Sequence, residues 1–116
     1  EHVPEPVAHA IKEALDCLSV HAYHGFGAMA RRAVRAVEED LAPDGMERVE
    51  RNLEEILELT GLDDDWKGKA RRALRPALGV AEPDLDARGA KVLLSLLRDL
   101  TYQIYTRPGR VRWAAE

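Results

Sequence analysis

The sequence predicts an all-α fold, an antiparallel bundle of about five helices, and three observations carry that expectation. Apolar residues recur at three- and four-residue intervals over most of the chain. Strand signals are nearly absent: no alternating run of β-branched or aromatic residues lies between turn formers. The connections APDG, GLDD and GVAEPD are short, which favours antiparallel neighbours. A length of 116 residues suits one domain, residues 1–116, with a single core that needs no disulfide or metal staple. The chain opens on Glu1 rather than Met, and we expect a domain excised from a longer protein.

The first helix opens near Pro6, whose fixed φ suits the first helical position, and should bury Val7, Ile11, Ala14, Leu15 and Leu18. The second runs from about Ala22 to Leu41 and ends before Pro43. Its inward residues are Phe26, Met29, Ala30, Ala33, Val34, Val37 and Leu41. In DGMERVERNLEEILELTG, Asp44 is placed to cap the third helix with Glu47 three residues on, and Gly61 to end it. Val49, Leu53, Ile56, Leu57 and Thr60 form its stripe. Asp63, Asp64 and Asp65 suit the positive end of a fourth helix, which carries Trp66, Ala70, Ala73, Leu74 and Ala77 and stops around Pro76 and Gly79. A fifth begins after Asp84 as cap, buries Val92, Leu93, Leu96, Leu97, Leu100 and Ile104, and ends before Pro108.

Composition narrows the function classes. A net charge of −4 argues against general DNA avidity, since phosphate binding needs a basic footprint. One cysteine, Cys17, excludes an internal disulfide and fits a reducing, cytoplasmic setting. No apolar run reaches the roughly 20 residues that span a bilayer, so no membrane partner is expected. Cys17, His21 and His24 sit at i, i+4 and i+7, where a continuous helix would align a thiolate and two imidazoles as a weak zinc candidate. The HAYHG stretch falls at a helix boundary, however, and no metal or other cofactor is expected. Ser19 and Ser95 have no catalytic setting; Ser95 falls in an apolar stripe, where its hydroxyl would bond back to the preceding turn. GFGAMA lacks the preceding strand and third glycine of a phosphate loop.

Charge is unevenly placed. Residues 38–65 are rich in acids, whereas Arg31, Arg32 and Arg35 lie on the second helix. Lys67, Lys69, Arg71, Arg72 and Arg75 crowd the fourth, and Arg107, Arg110 and Arg112 follow the fifth. The fourth-helix cluster is the candidate nucleic-acid surface; the competing reading pairs it with the acidic segment.

AIKEALDCLSVHAYHGFGAMARRAVRAV resembles the opening helices of a bacterial family catalogued as domain of unknown function number 4145. The closing LLSLLRDLTYQIYTRPGRV is similar to that family's last helix. The resemblance implies a helical bundle of the HEPN kind, dimerisation, and a setting among bacterial defence or stress proteins. Some HEPN members are metal-independent ribonucleases built on an Arg and a His near the final helix. The corresponding ARRALRPALGVAEPDLDARG holds arginines and no histidine. Without an imidazole, proton transfer at a ribose hydroxyl loses its usual agent. The expected function is therefore a non-catalytic interaction and dimerisation domain, with Trp66, Tyr102, Tyr105 and Trp113 as interface anchors. The alternative is a divergent HEPN-type ribonuclease or RNA binder using the fourth helix.

Overall fold

Amphipathic periodicity is realised as five α-helices in the computed structural model, which describes residues 3–76 and 84–106. They are α1 (Glu5–Ser19), α2 (Tyr23–Asp40), α3 (Gly45–Leu59), α4 (Asp64–Leu74) and α5 (Ala87–Thr101), the last continued by a π-helical turn over Tyr102–Thr106. No strand occurs among the described residues. The predicted positions Ala77, Gly79, Pro108 and Trp113, and Arg107, Arg110 and Arg112, lie outside them. The Cα radius of gyration, 14.0 Å, is close to the ~13 Å of a compact chain this long.

Helix α2 is the central element, packing against α1, α3, α4 and α5. Its sequence explains this. Phe26, Ala30, Ala33, Val34 and Val37 are all buried, and Gly27 with the alanines keeps the helix thin enough for neighbours to approach on several sides. Phe26, Leu53, Leu57, Leu74, Leu96, Leu97 and Leu100 supply the largest buried volumes of the core.

Helix α1 folds back on α2, and its buried stripe is Val7, Ala10 and Ala14. This corrects the expected face: Ile11 and Leu18 are half-buried and Leu15 is exposed. Small side chains face α2 because a close helix pair has room for alanine, not leucine. The turn between them is a Schellman motif, in which Ala22 N–H donates to the Cys17 carbonyl (2.8 Å) and His21 N–H to that of Leu18 (3.1 Å). His21 takes the left-handed position, φ +60°, usually given to glycine.

Helix starts follow local chemistry. Asp63 accepts from Trp66 N–H at 2.8 Å and so caps α4 as its aspartates suggest. The α5 cap is Asp86, not Asp84: Asp86 has extended backbone and accepts from Gly89 N–H at 2.8 Å. Asp44 makes no side-chain cap, since its backbone (φ −96°, ψ 13°) is not the extended form a capping carboxylate requires. What fixes the start of α3 instead is proximity, because a Cβ on Gly45 would meet the Glu38 backbone, 2.7 Å from its carbonyl carbon and 2.9 Å from its Cα. Gly61 ends α3 with φ +73°, as expected. Thr60 leaves the predicted stripe: it is exposed, and its hydroxyl donates to the Leu57 carbonyl at 2.8 Å. Ser95 is likewise exposed rather than in the buried stripe.

Candidate functional site

The predicted basic surface on α4 divides into two faces. Lys67, Arg71 and Arg75, four residues apart, point to α3, where Glu58, Glu54 and Glu50 answer at the same spacing in the opposite direction. Lys67 Nζ lies 3.7 Å from Glu58 Oε1. Arg71 donates twice to Glu54, from Nε to Oε2 at 2.6 Å and from NH2 to Oε1 at 2.7 Å. Arg75 Nε donates to Glu38 Oε2 on α2 at 3.1 Å, and its NH1 lies 3.6 Å from Glu50 Oε1. The two series run in opposite directions, as an antiparallel α3 and α4 require. The Arg71 fork holds the Glu54 carboxyl below its ordinary range despite some burial, and the same hydrogen bond raises Arg71 further.

On the other face, Lys69 pairs with Asp65 in its own helix at 3.3 Å. Lys69 and Arg88 both lie over the Trp66 ring, 5.2 and 5.7 Å from its centroid. Arg72 is half-buried. Of the five cations predicted to face phosphate, four thus carry a carboxylate partner.

The zinc candidates do not converge. Helix α1 ends at Ser19, and the left-handed turn at His21 breaks the face on which Cys17, His21 and His24 would have aligned. Cys17 is half-buried against Gly25, while His21 and His24 are exposed, His21 edge-on to the Tyr23 ring at 6.1 Å. No group of three or more His, Cys, Asp or Glu that could hold a metal ion occurs among the described residues.

The aromatic anchors also separate. Trp66 is half-buried beneath its two cations. Tyr105 donates to Asp40 Oδ2 at 3.0 Å, tying the π-helical turn to the end of α2; burial first, then this bond, pushes its phenol well up. Tyr102 is 44% exposed. It borders a shallow groove of about 370 Å³ with Ile56, Leu59, Thr60, Asp99 and Gln103. Leu59 is 81% exposed at the groove's edge. A leucine so exposed is the feature of this face that the periodic stripe of α3 passed over, although its neighbours Leu57 and Ile56 are buried as the pattern requires.

A second and larger depression, about 720 Å³, runs between α1 and α2. Arg31, Arg32 and Arg35 line it, with His9 and Glu39 at its sides and Pro6, Ala10, Met29, Ala36 and Pro76 along it. The sequence shows these arginines, but their importance emerges only once α3 has taken up the α4 cations. The matching four-residue spacing of Glu50, Glu54 and Glu58 was the available signal.

Described in these terms, the chain is a compact all-α globule of five helices. Comparison with protein-family models, with curated proteins and with solved structures finds no match.

Proposed function

We propose that the chain is a non-catalytic interaction domain that self-associates through the α3/π-turn groove. The HEPN-like bundle implied by its resemblance to family 4145, and a place in the bacterial cytoplasm within a defence or stress protein, complete this reading. The observation that carries it is Leu59, exposed beside Tyr102 on a groove floored by Ile56. One third of the chain is charged, yet among the six described residues lining this groove only Asp99 carries a charge. That composition favours a second copy of the chain as occupant, because a two-fold axis brings each patch against itself and would set like charges opposite one another. Leu59 of one copy then covers the Ile56–Tyr102 depression of the other. The RNA-binding alternative through α4 finds less support, since Lys67, Arg71 and Arg75 face carboxylates.

Light scattering on size-fractionated protein tests the proposal. A two-chain mass at tens of micromolar is expected, and a mass of one chain across that range would overturn it.

A further inference from the structure

The α1–α2 groove shares no residue with the proposed interface, and its chemistry is different. Arg31, Arg32 and Arg35 project from adjoining turns of α2, with Glu39 the only carboxylate among the described residues that line it. Of the acids close by, Glu38 is held by Arg75 (3.1 Å), and Glu13 pairs with His9 at the groove's side (3.1 Å). Arg32 and Arg35 are exposed, and neither has a hydrogen-bond or ion-pair partner among the described residues. Positive charge is thus concentrated in a concave site of a protein whose net charge is −4.

We propose that this groove binds a small phosphorylated molecule, with Arg32 and Arg35 gripping its phosphate and Met29, Ala36 and Ala10 bordering its less polar body. Guanidinium forks match phosphate oxygens two at a time, and the groove's volume falls within the ~300–1,000 Å³ range of small-ligand sites. A nucleic-acid strand fits less well. No aromatic side chain among the described residues lines the groove to stack a base, and the acidic remainder of the protein repels a long polyanion.

Titration calorimetry with inorganic phosphate, inorganic pyrophosphate and phenyl phosphate, at fixed ionic strength, tests this. Saturable binding is expected, with phenyl phosphate tighter than inorganic phosphate because the ring meets the apolar lining. Arg35→Gln and Arg32→Gln should each weaken binding at least ten-fold, while Lys69→Gln, on another face, leaves it within two-fold. Both arginines are exposed and have no partner among the described residues, so their loss should not unfold the chain. Amide shift mapping of the unaltered protein with pyrophosphate provides a second readout and should centre on His9, Met29 and Ala36. Absence of saturable binding, insensitivity to both arginine variants, or shifts centred on α4 would overturn the proposal. Tighter binding of a single-stranded RNA 12-mer than of any of the small probes would also overturn it in favour of a strand-binding surface.

Discussion

Leu59→Ala removes three carbons from the edge of the proposed self-association groove, and its effect follows from exposure. Full burial of three carbons contributes about 2.4 kcal/mol at ~0.8 kcal/mol each. The Leu59 side chain is 81% exposed in the single chain, so nearly all of that is still available to association. Two-fold symmetry uses the residue twice. The dimer should therefore lose about 4 kcal/mol if each leucine is fully covered and about 2 kcal/mol if each is half covered. These losses correspond to roughly 30- to 1,000-fold in the dimer dissociation constant. Sedimentation velocity over a hundred-fold concentration range reads this directly. Thermal unfolding of the dilute, monomeric variant should stay within ~0.5 kcal/mol of the parent, because the side chain packs little in the single chain. Met46→Ala provides the contrast: Met46 is 63% exposed, but it borders a different depression, with Arg35 and Arg75, and should leave association unchanged. A dissociation constant for Leu59→Ala within three-fold of the parent, or equal effects at Leu59 and Met46, would refute the reasoning.

Gly45→Ala should destabilise by ~3 kcal/mol or more in denaturant titration, the upper end for overpacking, because the added Cβ meets the Glu38 backbone, which no rotamer change can move aside. Glu54→Gln should lower stability by ~0.2–1 kcal/mol at pH 7, a modest value because both ion-pair partners are partly exposed. Since Arg71 depresses the folded-state pKa of Glu54, that contribution is present above the unfolded carboxylate pKa and is lost as pH falls through the folded one; parent and variant melting curves should converge in acid. His21→Gly should stabilise by ~1 kcal/mol in the same titration, by relieving a left-handed conformation held by a residue with a Cβ. Asp63→Ala should cost ~1 kcal/mol by chemical denaturation, whereas Asp44→Ala, which removes no capping bond, should stay within ~0.5 kcal/mol.

Helix number, order and most buried faces were legible because each rests on a local pattern. The α3 stripe Val49, Leu53, Ile56 and Leu57 and the α5 stripe Leu93, Leu96, Leu97 and Leu100 are buried as their spacing requires. The errors arise where a second element decides. On α1 both Ile11 and Ala10 suit a helical stripe, and only the close approach of α2 selects alanine for the inner face. At the start of α5, Asp84 and Asp86 are equally good capping residues, and the choice depends on where the backbone becomes extended. Asp44 fails as a cap because α2 and α3 meet so tightly at Gly45 that the chain enters α3 by another route. The candidate site was less legible still. A run of cations shows its charge in sequence, but whether that charge faces water or a carboxylate depends on helix register.

That register has a consequence for any anionic partner. A phosphate approaching Arg71 must compete with a carboxylate already held by two hydrogen bonds, at 2.6 and 2.7 Å, and breaking that fork would leave Glu54 to repel the newcomer. At Arg32 or Arg35 there is no such carboxylate to displace among the described residues, and the two cations line a depression. The chain has more cations on α4 than on α2, yet the sparser group retains the attraction, because the acids of α3 neutralise α4 from within the fold. Arginine count along the sequence is therefore a poor guide to where an anion binds; what matters is which guanidinium groups are left after the helices have paired.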